Sequence, residues 1–150
     1  MKYEKKIEIS SMTLHILAMV FMLCDHLWAT VVPGNDWLTD IGRIAFPMFA
    51  FMIVEGYFHT SDFKKYLLRI FLFALISEIP FDLAFSYRLF DASSQNVFFT
   101  LFFGLSALYL MELARVKCKE KPALVLPLRL FIIFGFLLLA ELFRTDYSYV

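Results

Sequence analysis

Apolar residues run along this chain in five long blocks, at about 12–32, 40–58, 63–86, 97–114 and 123–143, separated by short polar connections. A helix needs about 20 mainly apolar residues to cross a bilayer, so each block predicts one membrane-spanning helix. The residues after Arg144 are too few for a sixth. Proline breaks the pattern twice inside these blocks. Pro47 removes the hydrogen bond to the carbonyl of Arg43 and Pro80 the one to Ile76, so kinks are expected there. The predicted fold is therefore all-α, a multi-pass bundle of about five transmembrane helices kinked at Pro47 and Pro80. No stretch reads as a linker, repeat or low-complexity segment, and residues 1–150 are assigned to one membrane domain.

Composition agrees with that pattern. Hydrophobic residues make up 61% of the chain, against roughly 45–50% in soluble domains, which excludes an ordinary soluble enzyme or a nucleic-acid-binding module. The start, MKYEKK before an apolar run, imitates a secretory signal, but the first run is long enough to cross and four more follow. Cys24 and Cys118 fall in a helix and a basic loop and imply no disulfide framework.

Net charge is zero, yet its distribution fixes an expected orientation. With an inside amino terminus, Lys2, Lys5, Lys6, Lys64, Lys65, Arg69, Arg115, Lys117, Lys119, Lys121 and Arg129 lie at inner ends, against Arg43, Arg88 and Arg144 outside. Such an excess of basic residues belongs on the cytoplasmic side, and Trp28, Trp37, Tyr57 and Tyr87 fall near predicted boundaries, where aromatic rings favour the headgroup layer. A multi-pass membrane protein with its amino terminus in the cytoplasm is expected.

Candidate chemistry appears where ionisable groups interrupt the apolar blocks. Asp25 and His26 sit within the first block, and a charged side chain there costs on the order of 2.5 to 3.5 kcal/mol, so such residues mark functional sites by default. At 1.5 Å per residue they lie roughly 10 Å below the outer boundary. Arg43 comes about one turn into the second block, Glu78 and Asp82 in the last two turns of the third, and Asn96 and Thr100 at the start of the fourth. Nearly all these groups thus fall in the outer half, and they are expected to line one outward-facing polar cavity. Glu78 and Asp82 are four apart and share a helix face, as do Asn96 and Thr100.

Structural readings stand beside these functional ones. Arg43 is suited to neutralising Glu78, Asp82 or Asp25, since buried charges are normally paired. Glu55 is placed at the interface, and His15, on nearly the same face as His26, is suited to a helix–helix hydrogen bond. Cys24-Asp25-His26 contains three metal-binding residue types, but consecutive helical residues point 100° apart and do not converge on one ion, so no metal is assigned. The phenylalanines around Phe98, Phe99, Phe102 and Phe103 read as packing or lipid-facing residues. The basic run 115–121 reads as a topology signal that also suits an anionic acyl donor.

Several blocks carry a family resemblance: Asp25-His26, Gly42-Arg43-Ile44-Ala45-Phe46-Pro47, Glu55-Gly56-Tyr57-Phe58-His59-Thr60, Ser77-Glu78-Ile79-Pro80-Phe81-Asp82, Asn96-Val97-Phe98-Phe99-Thr100-Leu101 and Thr145-Asp146-Tyr147. In this order they resemble the TraX family of inner-membrane proteins, associated with amino-terminal acetylation of conjugative pilin. The resemblance implies transfer of an acetyl group from cytoplasmic acetyl-CoA to an extracytoplasmic amine or hydroxyl acceptor, a pilin-like peptide or a glycan. It implies His26 as general base, Asp25 as its tuning or orienting partner, and Arg43, Glu78, Asp82, Asn96 and Thr100 as groups that bind the acceptor or hold the polar network. It also implies further spans after the Thr-Asp-Tyr motif, so a chain ending at Val150 is expected to be incomplete. Two other classes fit the same polar residues: a small proton-coupled transporter component, because acids and histidines in a bundle also relay protons, and a non-catalytic scaffold. The transporter reading lacks paired broken helices in two halves.

Overall fold

The computed structural model describes residues 10–91 and 93–145. Those residues form six α-helices: α1 (Ser11–Thr30), α2 (Trp37–Gly42), α3 (Ala45–His59), α4 (Phe63–Phe85), α5 (Val97–Lys117) and α6 (Val125–Leu142), the last preceded by a 3₁₀ turn, Pro122–Leu124. The described residues contain no strand, only an isolated parallel bridge between Gln95 and Thr145. The all-helical class is as expected. The second apolar block differs in detail, because it is split into α2 and α3 at Arg43 and Ile44. Pro47 explains the break: it sits in the first turn of α3, where its missing N–H costs little, and the carbonyl of Arg43 is the one it leaves without a donor. α4 continues through Pro80.

Among the described residues, four helical segments are long and apolar enough to cross a membrane: Ser11–Thr30, Trp37–His59, Val97–Lys117 and Pro122–Leu142. α4 has the length, at 23 residues, but carries Lys64, Lys65, Arg69, Glu78 and Asp82 and is not among them. Its polar character is informative, because Glu78 and Asp82 are buried rather than turned to the surface. α6 shows the opposite design: none of its residues is buried, and its outward side chains include Leu126, Phe131, Phe134 and Leu137. Apart from Arg129 and Glu141 towards its two ends, α6 is apolar, and lipid is the natural solvent of such a helix.

The chain divides into two compact units, one reaching Glu55 and the other starting at Gly56. In the first, Ser10 caps α1 by accepting from the Thr13 N–H at 3.2 Å. Pro33-Gly34 then turns the chain, with Gly34 at φ +95°, a conformation that a side chain disfavours. The Trp28 indole N–H donates to Asp36 Oδ1 at 3.2 Å, fastening the end of α1 to the start of α2. At the other end of α2, Gly42 lies against Asp25 so closely that a Cβ would fall 2.5 Å from Asp25 Cβ and 2.7 Å from its backbone nitrogen. Small residues at such a crossing let two helix backbones approach, as in membrane helix pairs generally.

In the second unit, Asp62 caps α4, accepting from the Lys65 N–H at 3.1 Å. That bond and the Lys65 ammonium hold the Asp62 carboxyl below its usual pKa. Asn96 caps α5 through its Oδ1, which accepts from the Phe98 N–H at 2.9 Å. Aromatic rings join the helices: Phe71 meets Phe99 and Phe102, Phe73 meets Phe98, and Phe103 meets Phe136 and Phe143. The phenylalanine cluster is thus helix packing. α6 ends in a Schellman turn, with Thr145 N–H donating to Ala140 O and Arg144 N–H to Glu141 O. Arg144 takes the left-handed position, φ +48°, that glycine usually fills.

Candidate functional site

Asp25 and His26 lie side by side on α1, each half-buried. His26 Nδ1 lies 2.7 Å from the carbonyl of Met22, one turn earlier. A carbonyl only accepts, so Nδ1 carries the hydrogen, and in the neutral ring the lone pair sits on Nε2. Asp25 Oδ1 accepts from the Thr39 hydroxyl at 2.7 Å. The expectation that Asp25 pairs with Arg43 is therefore corrected: the hydroxyl one turn before Arg43 reaches the carboxylate, while Arg43 itself is exposed. Gly42 explains why Thr39 arrives there, since the helix contact it permits brings α2 onto Asp25. Neither Thr39 nor Gly42 was singled out for chemistry by residue type; a Thr four residues before an arginine was the available sign.

His15 differs from His26 chiefly in exposure. It makes the same kind of bond, Nδ1 to the Ser11 carbonyl at 2.7 Å, but sits on an exposed face. The expected helix–helix bond is replaced by one within α1. Glu55 is exposed.

The second unit collects the other polar candidates. Glu78, Asp82 and Asn96 are 7%, 1% and 3% exposed, deep burial for groups of this polarity. Asn96 ties α5 to α4: its backbone N–H reaches Glu78 Oε2 at 3.2 Å, its Nδ2 donates to the same oxygen, and Nδ2 also donates to Ala74 O at 2.8 Å. One residue thus caps a helix and neutralises half of a carboxylate's demand for donors. Asp82 Oδ2 accepts from the Asp91 N–H at 2.8 Å, which draws the loop after α4 back onto the helix. Thr145, 1% exposed, is bridged to Gln95, and Gln95 N–H donates to Arg144 O at 3.1 Å. The Schellman turn therefore delivers Thr145 beside the cap of α5. Asp146 and Tyr147, the rest of that motif, lie outside the described residues, as do Lys2, Lys5 and Lys6.

Four oxygens in this cluster's helices and turn have no hydrogen-bond partner among the described residues: Glu78 Oε1, Asp82 Oδ1, Thr100 Oγ1 and Thr145 Oγ1. Neither Glu78 nor Asp82 forms an ion pair among the described residues. At the other end of α5, Arg115 bonds Glu112 at 2.6 Å on an exposed surface. Among the described residues no three His, Cys, Asp or Glu side chains come together.

Comparison with known proteins places this arrangement. The family described as TraX protein matches residues 10–150. A relative from Dichelobacter nodosus, described as probable fimbrial assembly protein FimC, serogroup H1, is 31% identical over 136 residues, covering 83% of this chain and 55% of the relative. The chain thus spans about half the length of the curated relative it matches. No solved structure matches it. With the family pattern covering nearly every residue, Asp25-His26 and the Glu78-Asp82-Asn96 cluster included, the chain belongs to the TraX family.

Proposed function

We propose that this protein is a membrane acetyltransferase of pilus biogenesis, moving an acetyl group from cytoplasmic acetyl-CoA to an amine or hydroxyl acceptor on the outer side of the bacterial inner membrane. The observation that carries the reading is the bond from His26 Nδ1 to the Met22 carbonyl, which sets the tautomer a general base needs. Membership of the TraX family supports a pilus-related role, as does the description of the relative as a probable fimbrial assembly protein.

In this reading Nε2 of His26 takes the proton of the acceptor as its nitrogen or oxygen bonds to the acetyl carbon. The thioester C–S bond breaks, and the proton passes on to the leaving thiolate. An imidazole can both take up and release a proton near neutral pH, as the two transfers require. Asp25, held by Thr39, places a negative charge one residue away, favouring the imidazolium that forms between the two steps. Arg43, Glu78, Asp82, Asn96 and Thr100 are assigned to acceptor binding or to the polar network. The basic residues Lys117, Lys119 and Lys121 suit the phosphates of the donor; Arg115 is already engaged with Glu112.

The test follows label from acetyl-CoA into a peptide amine or a glycan hydroxyl, using membranes that contain the whole protein and no imposed proton gradient. General bases contribute about 10² to 10⁴-fold, so His26→Asn is expected to lower transfer by at least about 10², while His15→Ala retains most of it. Near-normal transfer by His26→Asn would remove the histidine as base and favour the transporter or scaffold reading.

A further inference from the structure

We propose that the loop 87–90, between α4 and the cap of α5, is an interfacial anchor whose apolar tip enters the phospholipid headgroup layer of the membrane that the helices cross. Tyr87, Leu89 and Phe90 are 85%, 73% and 75% exposed, and Arg88 between them is exposed too. The tip is nevertheless tied down at its base. Ser86 N–H donates to the Asp82 carbonyl at 2.8 Å and Asp91 N–H to Asp82 Oδ2 at 2.8 Å, so one buried residue holds both sides of the loop. Just beyond, Ser93 N–H donates to Asp91 Oδ1 at 2.9 Å. Tyr87 takes φ +55°, a left-handed conformation that a bulky residue seldom adopts. Such a conformation persists only where the surroundings over-determine it, and here it accompanies three large apolar side chains left outside the helix packing.

The height of the loop selects its partner. Asn96 bonds Glu78, so the start of α5 is level with Glu78 on α4. α5 has 21 residues, and its length of about 30 Å matches the hydrocarbon core of a bilayer. α4 continues past Glu78 to Phe85, and the loop then returns to Asp82. At 1.5 Å per residue that places 87–90 roughly 6 to 10 Å beyond the start of α5. The headgroup layer on each side of the core is about 5 to 8 Å deep, so the loop stands at its level. Lipid is the neighbour already present there, because α5 is itself a membrane helix. The side chains suit the same layer. A tyrosine ring is amphipathic and favours it, a guanidinium on a long stem reaches lipid phosphate from it, and Leu89 and Phe90 are stabilised by leaving water. The inference depends neither on acetyl transfer nor on which side of the membrane is outside.

The test uses the whole chain in phosphatidylcholine vesicles, in a background without Cys24 and Cys118, with a nitroxide spin label at Arg88→Cys. That position leaves Tyr87, Leu89 and Phe90 intact. Collisions with oxygen, which concentrates in lipid, and with a water-soluble nickel chelate report the depth of the label, and nitroxides on a lipid headgroup and free in water set the scale. The label is expected to match the headgroup standard. Combining Tyr87→Ser, Leu89→Ser and Phe90→Ser should shift it to the accessibility of the standard in water. Asp82→Ala should increase the mobility of the label, whereas Asp82→Asn, which keeps a carbonyl oxygen for the Asp91 N–H, should hold it. Only chain that elutes as wild type from gel filtration is measured, and the serine variant, altered at exposed positions alone, decides the matter where Asp82→Ala does not fold. The proposal is overturned if the label meets the nickel chelate as freely as a nitroxide in water, or if the serine variant leaves it at headgroup depth. It is also overturned if protection from the chelate arises only when an extracytoplasmic peptide is added, since the loop would then be a peptide-docking surface.

Discussion

Gly42 offers the sharpest test of how the Asp25 site is built. A methyl group added there would lie 2.5 to 2.8 Å from three atoms of Asp25, two of them backbone. Carbon atoms in favourable contact sit about 3.5 to 4.0 Å apart, so α1 and α2 would have to separate by on the order of 1 Å. Backbone has no rotamer with which to yield. Overpacking of this kind costs about 1 to 3 kcal/mol, and Gly42→Ala should lower stability by that amount. The controls lie in the same chain: Gly104 in α5 and Gly135 in α6 have nothing within 4 Å of an added Cβ. At an unobstructed helical position alanine is favoured over glycine by about 0.5 to 1 kcal/mol. Gly104→Ala and Gly135→Ala should therefore hold or raise stability, leaving a gap of about 1.5 to 4 kcal/mol between them and Gly42→Ala. Thermal or denaturant unfolding of the three variants in one detergent measures that gap. Gly42→Ala as stable as Gly135→Ala would refute the close crossing, and with it the delivery of Thr39 to Asp25.

Asn96→Ala removes a helix cap, worth about 1 kcal/mol, and strips Glu78 of a charge-assisted bond, worth about 1.5 to 3 kcal/mol; a combined loss of at least about 2 kcal/mol in denaturant unfolding is expected, and a loss below 0.5 kcal/mol would show that the two residues do not meet. Arg144 occupies a left-handed position at φ +48°, so Arg144→Gly should match or exceed wild-type stability while the β-branched Arg144→Val loses about 1 kcal/mol or more; equal melting points for the two would argue against the Schellman turn. The expected orientation predicts that, in a background without Cys24 and Cys118, a cysteine at position 91 is labelled by an impermeant thiol reagent from outside and one at position 119 only after permeabilisation; the opposite result would invert the membrane sidedness of the proposed reaction.

The helices were legible because the bilayer writes their length into the chain: a run of about 20 apolar residues has few other uses. Burial of Glu78, Asp82 and Asn96 was legible for the same reason, since acids and amides inside such runs are tolerated only where protein shelters them. Partner choice was not. Charge complementarity pointed from Asp25 to Arg43, but the carboxylate is met by Thr39, because a single missing Cβ at Gly42 sets the spacing of two backbones and so decides which side chain is within reach. Nothing local to Asp25, Thr39 or Arg43 encodes that spacing. The break at Arg43-Ile44 was half visible: Pro47 announced a carbonyl without a donor, but whether the helix bends or divides depends on the packing of α2. Thr145 shows the same division between composition and geometry. Its motif was visible, while its burial depends on a left-handed arginine turning the chain back toward Gln95, a conformation that sequence preference alone would assign to glycine. What the membrane imposes on each residue separately can be read in order along the chain; what helices impose on one another arises at positions such as Gly42 and Arg144, where one backbone choice determines which distant polar groups meet.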